Sequence, residues 1–295
     1  MELHQLVYAH AIAEERSFTR AAARLRVAQP SLSRAIRLLE RELGVTLFHR
    51  GPGQSAAEPT PEGAALLPFL RRILADVDDA ASEARSLIGM TTGRLVIGAT
   101  PSLATRLLPA VVADYHAAFP GVELSIVQAG SRDLAALVTD GRVDLGVVVL
   151  PLDSPRVSTV ALFDDPLVVA LGVTHPLASR ARIGLRELGR LPLVTFPAGY
   201  DLRTVTDEAF RRSGITPRVA VQGGEMDGVL ALVAAGLGAA VVPAIAVPPG
   251  GSVRAVPLVR PALHRGIGLA QRSDRPAGHA ARELQRRLLL AHRGT

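Results

Sequence analysis

Near residue 94 the apolar residues of this chain change period, which divides it into a helical segment and a longer stretch of alternating strands and helices. From Arg94 onward, Leu95–Ala99 reads as a strand, Arg106–Phe119 as a helix, Val122–Gln128 as a strand, Asp133–Asp140 as a helix and Asp144–Val149 as a strand. Continuous apolar strands at this rhythm imply parallel sheets covered by helices on both faces. The second half repeats the style, with strands near Leu167–Leu171, Leu193–Phe196, Val219–Val221 and Ala239–Val242 and helices near Leu202–Arg212 and Met226–Ala235. Arg265–Gln271 and a helix over Ala277–His292 close the chain. A length of 295 residues suits a small domain followed by a larger one, and 48% hydrophobic content allows a substantial core.

Ahead of the change, Ser17–Arg50 reads as two short helices at an angle. Ser17 is an N-cap, with Ala21, Ala22, Ala23 and Leu25 continuing a compact apolar helix, and Arg26–Ala28 form a three-residue turn. Gln29 and Pro30 open the next helix, where a missing N–H is harmless, and Leu32, Ala35, Ile36, Leu39 and Leu43 recur on its inward face. Gln29, Ser31, Ser33, Arg34 and Arg37 are left for solvent near the helix N-terminus, able to reach base edges and phosphates. Arg16 to Arg50 hold eight arginines against two glutamates, a local balance of +6 that suits a polyanion or, on charge alone, a solvated surface. The small-residue helix, the short turn and the Gln-Pro-Ser-Leu-Ser-Arg start together describe a helix-turn-helix whose second helix enters the major groove.

Net charge hides this patch. Residues 1 to 90 contain 11 arginines and 11 acidic residues, because the segment after the helix-turn-helix is acidic. All 33 basic residues of the chain are arginine, a sign of coding bias rather than of guanidinium chemistry. There is no cysteine, which excludes disulfides, thiolate metal sites and thiol redox sensing. Met1 leads directly into a helical pattern without the marks of a signal peptide, and apolar runs such as Leu145–Leu150 are only strand-length, so the expected location is cytoplasmic with no membrane partner.

Gly51–Gln54 and the Pro-rich residues after them read as a turn or wing, uncharged beyond Arg50. Thr60, Pro61 and Glu62 then start a long helix as N-cap, first-turn proline and first-turn acid, with Pro68 an anomaly inside it that should bend it. Leu66, Leu70, Ile73, Val77, Ala80, Ala84 and Leu87 follow at intervals of 4, 3, 4, 3, 4 and 3. That seam suits a partner helix of a second copy, although a stripe packed on its own domain has the same period. Asp76, Asp78 and Asp79 read as a solvated acidic face rather than a metal site.

These motifs resemble the LysR-type transcriptional regulators. The resemblance is carried by Ser17, Phe18, Ala21 and Ala22, then Gln29, Pro30 and Ser33, continuing through Ile36, Leu39, Glu40, Leu43 and Gly44 to Leu47, Phe48 and Arg50. Further along it is carried by Leu107-Leu108-Pro109, Phe119-Pro120, Asp140-Gly141, Asp144-Leu145, His175-Pro176-Leu177 and Val233 to Gly236 with Gly238. The resemblance implies an α/β chain built of a winged helix-turn-helix (1–60), a linker helix for dimerisation (61–90) and a bilobed effector domain of the periplasmic-binding-protein type (91–295). Lobe one would comprise 93–161 and 263–295, and lobe two 162–262. It also implies promoter DNA, a homodimer or homotetramer and, for an activator, RNA polymerase as partners, with no cofactor. Ser17, Thr19, Gln29, Pro30, Ser31, Ser33, Arg34, Arg37 and Arg50 are the expected DNA contacts.

Ligands of such open sheets sit beyond the carboxyl ends of the strands, where helix N-termini offer free N–H groups. Thr100, Pro101 and Ser102 follow the first strand, Gly130 and Ser131 the second, and Phe196 to Tyr200 a strand of the other lobe, with Arg203, Gln222 and Glu225 as further polar candidates. The family's effectors bind at such positions and are often small carboxylates. The hydroxyls equally suit plain N-caps. Two rival classes fare worse. No Gly-x-Ser-x-Gly elbow, phosphate loop, metal-spaced histidine pair or full dinucleotide fingerprint supports an enzyme, and a solute-binding protein would lack its export signal and leave the helix-turn-helix unexplained.

Overall fold

The structure, a computed structural model, describes residues 1–49, 57–87, 92–198 and 200–291, apart from the side chains of 79, 82 and 85–87. Arg50 and the wing tip expected at Gly51–Gln54 lie outside the described residues, as does the side chain of Leu87. The chain divides into two compact units, Met1–Gly93 with Thr139–Arg142 and Arg94–Val138 with Val143–Thr295.

In the first unit, α1 (Leu3–Glu15), α2 (Phe18–Leu25), α3 (Gln29–Leu43) and α4 (Pro61–Leu87) enclose a core of Leu6, Ile12, Leu32, Ile36, Leu39, Leu47 and Phe48. Local chemistry sets each boundary. The Ser17 hydroxyl accepts from the Arg20 backbone N–H at 3.3 Å, α2 closes with Arg26 in the left-handed region at φ 55°, and Pro30 sits in the first turn of α3. Gly44 ends α3 at φ 72°. The base of the wing is an antiparallel bridge between Phe48 and Pro59. Thr60 then starts α4, its hydroxyl accepting from the Gly63 N–H at 2.9 Å and donating to the Thr46 carbonyl at 2.5 Å. A side chain at Gly63 would bring Cβ within 2.0 Å of the Leu47 carbonyl oxygen, so only glycine lets α4 leave the wing this closely. α4 continues through Pro68 as one helix.

The second unit opens with β1 (Gly93–Ala99), α5 (Pro101–Arg106), α6 (Leu108–Ala118), β2 (Val122–Gln128), α7 (Ser131–Thr139) and β3 (Leu145–Leu150). The helix expected over Arg106–Phe119 is α6, and the short α5 precedes it as a separate helix. Pro109 lacks the N–H that would continue α5, and it sits instead in the first turn of a new helix. The sixteen-residue strand β4 (Val157–Gly172) then runs from one lobe into the other. Its first part pairs antiparallel with β10 (His264–Arg272), and Leu167–Gly172 pairs with β8 (Ala240–Pro243) and β9 (Val253–Val259). Between these lie β5 (Ile183–Gly184), α8 (Leu185–Leu188), β6 (Pro192–Thr195), α9 (Asp201–Arg212), β7 (Arg218–Gln222) and α10 (Met226–Ala234), with α11 (His279–Ala291) last.

The main sheet runs β2-β1-β3-β10-β4-β9-β5, with β8 also on β4 and the pair β6-β7 joined to this lobe by a bridge from Leu193 to Ala239. Each lobe has its own core. One is built around Leu95, Ile97, Leu145, Val147, Ile267 and Leu284, the other around Leu167, Val169, Phe210, Val229, Val241 and Val256. Leu162 and Phe163 pack on the first core, so the crossing falls near Asp164–Pro166 rather than at the expected 161/162 boundary. β9 and the first part of β4 were absent from the sequence reading; both carry exposed or half-exposed residues along their length instead of an apolar run.

Candidate functional site

Along α3, Gln29, Ser31, Arg34 and Arg37 are exposed, and half-buried Ser33 accepts from Gln29 Nε2 at 3.1 Å. Pro30 is exposed in the first turn and Thr19 is exposed on α2, whereas the Ser17 hydroxyl is engaged in capping α2. The basic patch is weaker than its formal charge. Arg24 Nη1 donates to Glu14 at 2.7 Å and Glu15 at 3.3 Å, and the hydrogen bond to Glu14 holds its pKa above the ordinary value. Arg20 also pairs with Glu15. Arg34 and Arg37 form no ion pair with any described residue, which leaves their guanidinium groups available on the exposed face of α3.

The expected seam on α4 divides in two. Leu70 is 3% exposed and packs with Leu67, and beside them half-buried Leu66, against the first unit's own core. These two seam positions are therefore intrachain contacts. Farther along the helix Ile73 and Val77 are 37% and 40% exposed, Ala80 and Ala84 are exposed, and Phe69, which the heptad count passed over, is 54% exposed. The open apolar row is Phe69, Ile73, Val77, Ala80 and Ala84, at helical spacing.

In the second unit, Thr100 stands at the N-cap of α5 with its hydroxyl buried and bonded to no described residue. Such a group costs about 1–3 kcal/mol until a partner arrives. Ser102 is buried and its hydroxyl accepts from Arg265 Nη2 at 3.1 Å. Ser131, also buried, accepts from the Val149 N–H at 2.9 Å, and Gly130 beside it is exposed. Both serine hydroxyls therefore hold one acceptor bond while keeping an O–H to donate. From the other lobe, Phe196 is buried in the core and Tyr200 stacks on it at 4.7 Å. The Tyr200 hydroxyl is pushed up to about 12, first by burial and then by the charge of Glu225, while Arg265 pulls the other way. Tyr200 thus stays a neutral donor.

Arg203 is otherwise occupied. Its Nη1 donates to Thr195 Oγ1 at 2.7 Å and to the Phe196 carbonyl at 3.2 Å, and its Nε donates to Asp207 at 2.5 Å, so it fixes the loop after β6 rather than reaching for a ligand. Pro101 serves the first turn of α5. Glu225 and Gln222 are exposed. Sequence reasoning missed Arg265 and Asp165, a buried pair at 2.8 Å on the neighbouring strands β10 and β4. With arginine so abundant and the partner 100 residues away, no local pattern marks either one. Two surface cavities are lined by other residues, the second of them including Asp164 and Gly266, the chain neighbours of Asp165 and Arg265. One, of about 650 Å³, is lined by Pro109, Val112, His116 and Leu124, and the other, of about 600 Å³, by Leu150, Leu152, Phe163 and Asp164.

Comparison with known proteins decides the family. Residues 3–64 match the bacterial regulatory helix-turn-helix protein of the lysR family, and residues 89–292 match the LysR substrate binding domain. The chain belongs to the LysR family of transcriptional regulators. This LysR-type regulator is 38% identical to the HTH-type transcriptional regulator TtuA of Agrobacterium vitis over 250 residues, covering 82% of this chain and 80% of that one. It is 32% identical to the hydrogen peroxide-inducible genes activator of Escherichia coli O157:H7, covering 94% and 91%. Among solved structures it is similar to a full-length OxyR variant from Pseudomonas aeruginosa, with a TM-score of 0.81, 28% identity and coverage of 98% and 95%. Full-length BenM gives 0.60, 29%, 99% and 96%. The regulator is accordingly a DNA-binding protein of a family of transcription factors and not of enzymes, and no helix among its described residues is long and apolar enough to cross a membrane.

Proposed function

We propose that this LysR-type regulator reads a two-fold operator through Gln29, Ser31, Ser33, Arg34 and Arg37 of two copies of α3, and that a small anionic effector between the lobes sets its grip on DNA. The observation that carries the DNA contact is the pair Arg34 and Arg37, exposed on one helix face without an acidic partner among the described residues. The effector half is supported by three buried hydroxyls, Thr100, Ser102 and Ser131, which keep donors unpaired beyond the ends of β1 and β2. Pairing of copies along α4 supplies the two-fold symmetry, with a tetramer the family's habit.

The relatives named for hydrogen peroxide do not extend that signal to this chain through thiol chemistry, because it contains no cysteine. An effector has to act by binding. Contact with Tyr200 on one lobe and the hydroxyls on the other gives it differential affinity for open and closed states, which is what shifts an equilibrium. The test selects DNA from a random pool with the full chain and measures its affinity by fluorescence anisotropy across a salt series. A steep salt slope that Arg34→Ala and Arg37→Ala each reduce supports the reading, and a pool that enriches no sequence refutes it.

A further inference from the structure

One cationic side chain in the second unit has donors that its structural neighbours do not use. Arg265, on β10, is 8% exposed, yet it carries five N–H groups. Nε and Nη2 donate to the same oxygen of Asp165, at 3.0 and 2.8 Å, and Nη2 also donates to Ser102 Oγ at 3.1 Å. Nη1 donates to no described residue. Arg–carboxylate pairs frequently place the fork of the guanidinium on both carboxylate oxygens. Here the second oxygen of Asp165 is taken by the Ile245 N–H at 3.3 Å, on the short turn that follows β8 in the other lobe. Both oxygens of the carboxylate are therefore engaged, and Nη1 of the guanidinium is not.

Three further facts bear on Arg265 and its surroundings. Burial pulls Arg265 below its ordinary pKa range, with Asp165 working in the opposite direction, so a second anion beside it would relieve an existing cost. Thr100, 7% exposed, carries its hydroxyl without a partner at the start of the helix that holds Ser102. Tyr200, a neutral donor of the opposite lobe, stands close enough to Arg265 for the two to interact electrostatically.

We infer that Arg265 is the anchor for the anionic head of the effector, with the Thr100 and Ser102 hydroxyls as its additional donors and Asp165 as the internal counter-charge that the head competes with. This rests on the reading of the cleft as the effector site and narrows the ligand class to small molecules with a carboxylate or like-charged oxoanion head. Asp165 also supplies the coupling. An anion that draws Arg265 away loosens the carboxylate from its one charged partner, and the same carboxylate holds the Ile245 N–H, so binding on one lobe changes what holds the other.

Calorimetry of the full chain with acetate, and with acetamide as its neutral isostere, tests the inference. Acetate is expected to bind the wild type and acetamide not. Arg265→Gln should weaken acetate at least tenfold, while Asp165→Asn, which removes the competitor and leaves the cation, should strengthen it about tenfold. Far-UV circular dichroism checks that each variant is folded, and the Asp165→Asn arm stands if Arg265→Gln is not. Acetate that binds Arg265→Gln as well as wild type, or Asp165→Asn no better, overturns the anchor. If Thr100→Val then still loses acetate, the cleft survives as the effector site without its anchor. If acetate binds every variant alike, or none including wild type, the cleft reading falls with it.

Discussion

Glu40 Oε1 accepts the backbone N–H of Leu47 at 2.8 Å and, more weakly, that of Phe48 at 3.4 Å. A carboxylate near the end of the recognition helix therefore fixes where the chain turns into the wing, and Phe48 is thereby held edge-on to Phe18 of α2 at 5.9 Å. The three parts of the DNA-binding unit are registered against one another through this residue.

Glu40→Ala should thus lower the stability of the first unit by about 1–3 kcal/mol, since two partly buried N–H groups lose a charged acceptor. Glu40→Gln keeps an oxygen in place and should recover more than half of that loss. Chemical denaturation followed by far-UV circular dichroism measures both. Equal losses in the two variants would assign the effect to the lost carboxylate charge instead of the two N–H bonds.

Arg34 and Arg24 are separated by their partners rather than by their charge. Arg34 has no ion pair with a described residue, and Arg24 is tied to Glu14 and Glu15. Arg34→Ala is expected to weaken specific DNA binding by about 1–3 kcal/mol, or to lower the salt slope by about one if the contact is to phosphate. Arg24→Ala should change it by less than about 1 kcal/mol. Anisotropy titrations at two salt concentrations decide, and the assignment fails if Arg24→Ala proves the more damaging.

Two tyrosines give the second unit a common alkaline limit. Tyr115 is pushed up to about 12 mainly by burial, its hydroxyl donating to the Ala280 carbonyl at 3.2 Å, and Tyr200 is pushed up to about 12 by burial and Glu225. An unfolded tyrosine releases its proton near pH 10, so between there and 12 the folded chain binds more protons than the unfolded one. Stability from this source is complete below pH 10 and is lost as pH rises through 12. Denaturation midpoints should fall across that window, and Tyr115→Phe should flatten the fall while losing about 1 kcal/mol of stability at neutral pH. An unchanged pH slope in Tyr115→Phe would rule this group out as the source.

What could be read from the sequence follows from how local the determinants are. Ser17, Pro30 and Gly44 set the limits of α2 and α3 through their own backbone chemistry, so the helix-turn-helix was legible residue by residue. The positions of Thr100, Ser102 and Ser131, within three residues of the ends of β1 and β2, were legible in the same way. β9 was not legible, because Arg254 and Pro257 interrupt its apolar pattern and its pairing with β4 spans more than 80 residues. Arg265 was invisible for the same reason, being defined by Asp165 and Ser102 and not by its neighbours. Leu70 illustrates the opposite error. Its heptad position was right, but a period does not say which of two apolar surfaces a helix faces, and α1 takes that side of α4.

That division of α4 yields a contrast between adjacent turns. Leu70 is buried in the core of its own unit, so Leu70→Glu places a carboxylate among Leu67, Leu6 and Ile12 and should destabilise or unfold the helix-turn-helix. Ile73 lies on the open row with Phe69 and Val77, and a charge there meets solvent in a single chain. If that row pairs two copies, Ile73→Glu and Phe69→Glu should leave the circular dichroism spectrum and thermal midpoint of each unit within error of wild type while lowering the sedimenting mass. They should also weaken operator binding by the loss of one half-site per complex, because two linked recognition helices bind far more tightly than either alone. A variant with full mass and full affinity would mean that the exposed row is not an interface, and that copies meet through some other surface.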